Sequence, residues 1–186
     1  PEQEQRIVEN FNNLANEGYD PKALYTYYDR AMQEQASIEN LQKIQQDAMN
    51  NPVGASAWSV LDNVVGSVGD AFKYIGAGIA EGVTGEYQWI DTNDTAAARV
   101  NTVRSTVSDK IGADIGNKTA GKVASFLYQT GMSLADFAAT LPLNLVPGVG
   151  TGLQMVLLST EAGTAAAKES YDNTGSASKA LSTGIW

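Results

Sequence analysis

An uncharged run of 24 residues, Phe137 to Thr160, constrains this chain more than any other segment, and Asp136 and Glu161 bound it. A bilayer crossing takes about 20 apolar residues, so the run is long enough. Its composition argues for something else. It consists largely of Ala, Gly, Thr, Leu and Val, with Asn144 and Gln154 inside it and Pro142 and Pro147 near its centre. Proline removes a backbone donor and clashes with the preceding turn, so no single helix passes through both. The pattern predicts two half-length apolar helices joined by a Pro/Gly turn, a hairpin that can bury itself against protein or enter lipid.

Composition excludes several chemistries. The chain has 186 residues, enough for one domain with a real core or two small ones. It has no histidine and no cysteine, so disulfides, thiolate nucleophiles, Cys/His zinc sites and histidine acid–base pairs cannot form within it. The absence of cysteine leaves the redox compartment open. Net charge is −9. Nucleic-acid binders need a basic footprint to neutralise phosphates, and this balance is its opposite. The same acidity disfavours adhesion to anionic lipid before any insertion.

Texture divides the chain at residue 50. Residues 1–50 are rich in Gln, Asn and Glu and carry nine acidic and four basic residues. A helix is predicted over Glu2 to Asn16, with Ile7, Phe11 and Leu14 on one stripe and Gly18 closing it. Asp20 followed by Pro21 is a strong start signal for a second helix, running to about Met49 before Asn50-Asn51-Pro52. Leu24, Tyr27, Ala31, Ile38 and Leu41 follow an a/d rhythm in it. This arm is expected to be a helical hairpin or short coiled coil.

Residues 51–186 form an Ala/Gly-rich region. Glycines 66, 69, 76, 78 and 82 each lower helix propensity by about 1 kcal/mol relative to Ala, so a helix over Gly54 to Val83 needs close packing. Gly78-x-x-x-Gly82 and Gly112-x-x-x-Gly116 have the spacing of tight helix contacts. Beyond a connection at Gly85 to Asn93, Asp94 is expected to cap an amphipathic helix with Ala97, Val100, Val103, Val107 and Ile111 on one face. A further helix, Asn117 to Leu141, presents Val123, Phe126, Leu127, Leu134 and Phe137. Another is expected over Leu153 to Asp172, ended by Asn173-Thr-Gly175, and Ser176 opens a last helix that the chain stops within. With no alternating β-branched run of strand length, the fold is predicted to be all-α: the helical arm, then a bundle of apolar helices. Pro1 at the start and the interrupted helix at Trp186 lead us to expect a piece of a longer polypeptide.

Catalytic and ligand motifs fail on inspection. Asp91-x-Asn93-x-Thr95 begins like a calcium loop, but the required Gly and Glu are replaced by Ala96 and Thr102, leaving an Asx-rich helix start. Ser176-x-x-Lys179 has dyad spacing without the companion motifs of that enzyme class. Gly148-x-Gly150-x-Gly152 lacks the P-loop Lys-Ser/Thr and follows a helical segment where the motif needs a strand. No enzyme and no cofactor is expected.

Three segments carry a family resemblance: Phe126-Leu-Tyr-Gln-Thr-Gly-Met-Ser-Leu-Ala-Asp136 with the Pro/Gly-broken run after it, Glu161-Ala-Gly-Thr-Ala-Ala-Ala-Lys-Glu-Ser-Tyr-Asp172 closed by Gly175, and Ala177-Ser-Lys-Ala-Leu181. Together they resemble a helical region of very large virion-associated proteins of tailed phages and prophages of Gram-positive and gut bacteria. The resemblance covers roughly residues 50–186 and leaves the arm out. It implies an ejection or internal protein, or a tail-associated one, packed in the particle and delivered with the genome. The implied partners are other virion proteins (portal, tail or sister copies) and the host membrane on delivery. A homo-oligomer is expected in any case, because an Ala/Gly-rich helical layer with few large residues makes a poor core by itself. The implied location is the virion, then the host membrane or cytoplasm. It transfers no activity. Two other readings stand beside it: a pore-forming toxin or bacteriocin-like domain inserting the Phe137–Thr160 hairpin, and an inert, self-associating helical scaffold.

The expected interface is the hairpin, with Leu141, Pro142, Leu143, Leu145, Val146, Pro147, Gly148, Gly150 and Gly152, together with the small-residue positions Gly78 and Gly82. An apolar patch of this kind marks a contact surface.

Overall fold

The computed structural model describes residues 2–140 and 150–184, with the side chains of 134, 137–140 and 150–161 left undescribed. It is all-α. Its helices are α1 (Glu2–Asn16), α2 (Pro21–Asn50), α3 (Pro52–Thr84), α4 (Ala96–Asp114), α5 (Lys118–Thr140), α6 (Gly150–Thr174) and α7 (Ala177–Gly184). Local chemistry sets most of these bounds. The Asp20 carboxylate accepts from the Ala23 N–H at 3.1 Å and Pro21 occupies the first helical position. Asn51 and Pro52 repeat the device at the start of α3. Gly18, Gly85 and Gly175 hold positive φ of 86°, 70° and 66° at three helix ends, where a side chain would strain the backbone.

Two expectations need correction. Thr95, not Asp94, caps α4: its backbone is extended and its Oγ1 accepts from the Ala98 N–H at 3.2 Å. Asp94 is drawn off by cations, with its Oδ2 3.4 Å from Lys73 Nζ and its Oδ1 3.3 Å from Arg99. In α2, Tyr28 rather than Tyr27 faces α1. The Phe11 ring packs edge-on to Tyr28 at 5.5 Å and tilted to Tyr25 at 5.7 Å, while Tyr27 is exposed. No residue of α1 is buried, so its packing on α2 is shallow.

α3 is the central strut. It packs against α2, α4, α5, α6 and α7. Two small cores lie along it. One joins Ala48, Val103 and Val107, with Ile44, Ala55, Ile111 and Tyr128 against them. The other joins Tyr74, Ile90, Ala167, Ala177 and Ala180, with Ala77 and Tyr171 against them. Four of these last seven residues are alanines, so helices approach closely where they meet. A Cβ at Gly184 would strike the Gly163 carbonyl and Ala167, and one at Gly121 would lie 2.7 Å from the Gly112 carbonyl oxygen.

Candidate interaction surface

The residues that set α3 in place are polar and buried. Asp70 is 3% exposed, and its Oδ2 accepts from the Ala96 N–H at 2.6 Å, at the first turn of α4. Three turns further on, Glu81 is 9% exposed and does the same for α7: Oε2 accepts from the Ala177 N–H at 2.8 Å, and Oε1 from the Ser178 hydroxyl at 3.1 Å and from the Ser176 hydroxyl. A helix N-terminus has unsatisfied N–H groups and a partial positive charge, so each carboxylate meets both needs. The Ser176 hydroxyl bond, joined by those of Ala177 and Ser178, holds the Glu81 carboxyl below its usual range against a desolvation that pushes the other way.

Two ion pairs add to this frame. Asp62 takes Arg99 bidentately, at 2.7 Å from Nε and 3.0 Å from Nη2, and these bonds raise the Arg99 pKa further. Asp136 of α5 pairs with Arg104 of α4. Burial pushes the Asp136 carboxyl up, and the Arg104 charge and the Asn63 amide pull it back down. Tyr74 is fully buried with its hydroxyl unpartnered among the described residues, and burial beside Asp70 and Asp172 drives its pKa well up. The connection from α3 to α4 is clasped by Tyr171, whose hydroxyl donates to the Gln88 carbonyl at 3.0 Å and accepts from the Ile90 N–H at 2.9 Å.

The opposite face of α3 is apolar and turned to solvent. Trp58 is 73% exposed, Val65 71% and Phe72 69%, with Leu61, Ile79 and Val83 also exposed. α5 repeats the inversion. Val123, Phe126 and Leu127 point outward, whereas Gly121, Met132 and Asp136 point in. Its inner side is held by polar contacts: Ser125 Oγ donates to the Ser108 carbonyl at 2.8 Å, Gln129 Nε2 to Ser108 Oγ at 3.0 Å, and the Tyr128 and Ser56 hydroxyls lie 2.7 Å apart. Ordinary amphipathic helices bury the apolar stripe. Here polar caps and small residues make up much of the inner faces of α3 and α5, and most of the large apolar side chains of these two helices are left outside.

Of the interface residues expected from sequence, Leu141, Pro142, Leu143, Leu145, Val146, Pro147 and Gly148 lie outside the described residues. Gly150 and Gly152 fall in the first turn of α6. Gly78 and Gly82 have separate fates. A Cβ at Gly78 would sit 2.8 Å from Leu181 Cβ and 3.0 Å from the Ala177 carbonyl, so this glycine seats α7; Gly82 faces open space. The second glycine pair divides too, Gly112 lying against α5 and Gly116 in the open. Sequence reasoning missed the outward stripe on α3 and the buried acids behind it.

A cleft of about 530 Å³ between α2, α3 and α4 has Trp58 beside the Asp62–Arg99 pair. Asp91, the start of the calcium-like pattern, accepts from the Asn93 N–H at 3.0 Å and from the Ser37 hydroxyl. Among the described residues no group of three His, Cys, Asp or Glu side chains is placed to hold a metal ion, and no helix is long and apolar enough to cross a membrane. No protein-family profile, curated protein or solved structure matches the chain.

Proposed function

We propose that this chain is a structural segment of a large phage virion protein, of the ejection/internal or tail-associated kind, held in the particle by other virion proteins and by sister copies and delivered with the genome. The observation that carries the reading is the outward apolar surface of α3 and α5, because contiguous exposed apolar faces mark surfaces that another body covers. The resemblance supplies the virion context. Its residues Tyr128, Met132 and Asp136 face the bundle and Tyr171 clasps a connection, roles suited to a scaffold.

Mass spectrometry of purified phage particles tests this directly. Peptides of this chain should appear within a much longer polypeptide; a stand-alone product of a non-viral gene ends the proposal. The hairpin extends the test. Leu145→Asp should lower incorporation or infectivity, and Gln42→Asp, on the exposed side of α2, should not. Membrane entry during delivery belongs to the same reading and rests on the uncharged Phe137–Thr160 run. Dye release from liposomes by the chain separates a pore-former from a particle component that needs neighbours.

A further inference from the structure

The outward face of α3 has a strict seven-residue repeat. Trp58, Val65, Phe72 and Ile79 recur at intervals of seven, and Leu61, Val68, Ile75 and Gly82 lie three residues after each. This is the a/d pattern of a coiled-coil seam sustained from Trp58 to Gly82. An unsupercoiled helix drifts about 20° per heptad away from such a pattern, so a strict repeat signals a helical partner along its length. The four a positions are all exposed. Leu61 and Gly82 of the d positions are exposed as well, and Val68 and Ile75 are half-buried along one edge of the seam. Among the described residues no helix covers the a positions.

We propose that the partner is a second copy of α3, running antiparallel about a two-fold axis at position 70. Antiparallel seams set a residues against d residues of the opposing helix. Centred there, Trp58 meets Gly82 of the second copy, Leu61 meets Ile79, Val65 meets Ile75 and Val68 meets Phe72. The largest side chain falls against the smallest, and the other layers pair branched or aromatic residues of matched combined size. A C2 interface must be self-complementary in this way.

The glycines give an independent argument. Gly66 and Gly78 have reasons within the chain, since a Cβ there would collide with Ala96 or Leu181. Gly69, Gly76 and Gly82 meet nothing within 4 Å. Glycine weakens a helix interior, and among the described residues these three have no intrachain neighbour to justify it. In the antiparallel pair Gly69 lies beside its own copy at the axis, Gly76 flanks Asp62 and Gly82 receives Trp58, so all three gain a close neighbour. Asp62, the charge nearest the seam, is already neutralised by Arg99. A seam of 25 residues is about 37 Å long at roughly 1.5 Å per residue. One helix face of that length offers on the order of 600 Å² per partner, close to the roughly 800 Å² of a standard interface. Lipid requires neither the size alternation nor the open glycines.

The inference deepens the sister-copy part of the proposed function. Its test is independent of the virion assignment, because particle mass spectrometry addresses one and cross-linking the other. The chain lacks cysteine, so single-cysteine variants read the geometry directly. With a short bismaleimide cross-linker, Gly69→Cys should capture its own copy. Trp58→Cys alone should not, but mixed with Gly82→Cys it should give a covalent dimer. Sedimentation of the unmodified 186-residue chain should show a concentration-dependent monomer–dimer equilibrium. Val65→Asp, at an exposed position, should shift it to monomer while the helical circular dichroism stays unchanged. Self-cross-linking of Trp58→Cys would mean a parallel pair and overturn the proposal. So would a monomer at every concentration, a dimer insensitive to Val65→Asp, or flotation on neutral vesicles without dimerisation.

Discussion

The two faces of α3 obey opposite rules. Toward the bundle it presents Ser59, Ser67, Asp70, Tyr74, Gly78 and Glu81, all buried; toward solvent it presents Trp58, Leu61, Val65, Phe72 and Ile79. The inner face achieves attachment by directed bonds. Two carboxylates three turns apart each take the N-terminus of another helix, and a glycine between them lets α7 lie close. The outer face has the area but no directed bond. Directed bonds specify which elements dock and where, whereas apolar area supplies affinity for whatever covers it. A helix built this way is fixed within its chain by polar groups and keeps its apolar surface for a second contact.

The largest effect expected from breaking this asymmetry is at Glu81. Glu81→Ala leaves the buried Ala177 N–H without an acceptor and deprives Ser176 and Ser178 of theirs. A buried donor left unpaired costs about 1–3 kcal/mol, so the loss should reach about 3 kcal/mol and detach α7 first. Hydrogen exchange reports it: amides of Ala177–Gly184 should lose protection before those of α4. Asp70→Ala makes the same kind of break at the start of α4 for about 1–2 kcal/mol, with one N–H orphaned. Phe72→Ser on the outer face should change chemical-denaturation stability of the dilute chain by under about 0.5 kcal/mol.

Glycine substitutions sharpen the contrast at a smaller scale. Gly78→Ala drives a methyl into Leu181 and the Ala177 carbonyl, an overpacking expected to cost about 1–3 kcal/mol. Gly82→Ala, one turn away in open space, should instead stabilise the dilute chain by up to about 1 kcal/mol through helix propensity. Thermal melts of the two variants should move in opposite directions. Movement in the same direction would show that the two faces do not differ in packing.

Much of the architecture could be read from residues near each helix end. Asp20-Pro21, Asn51-Pro52, Gly85 and Gly175 mark boundaries by local chemistry, and the structure places them within a residue or two. Orientation could not be read this way. The acceptors at Asp70 and Glu81 serve donors 26 and 96 residues away, and nothing near either acid announces its partner. Periodicity found the apolar stripe of α5, but period alone does not say which side of a helix faces in. The usual assumption that large apolar side chains do so fails where small and polar residues fill the interior. The seven-residue spacing on α3 was visible in the chain; its meaning depends on knowing that the face is exposed. The interface expected at 141–148 lies outside the described residues, and the exposed apolar surface of the described ones lies on α3 and α5.

The smallest expected effect is the response to acid, where the buried carboxylates act against each other. Glu81 titrates below its unfolded value in the folded chain, so its stabilisation is complete above the ordinary carboxylate range and is lost as pH falls through its folded value. Asp136 is shifted the other way by burial, so its protonated form is the one folding favours; its contribution is present at low pH and is lost as pH rises through its folded value. On acidification from neutrality Asp136 therefore gives a slight gain before Glu81 gives a loss. In a chain of this size 1 kcal/mol moves Tm by about 2–4 °C, so both limbs should stay within a few degrees. Subtracting Tm–pH curves separates them. The Glu81→Gln penalty should shrink as pH drops below the carboxylate range, since the parent chain loses the same interaction there. The Asp136→Asn difference should change at higher pH and with the opposite sign. If both difference curves bend the same way, the inner face is not held by Glu81 as a charged acceptor and its bonds to α7 behave as neutral ones.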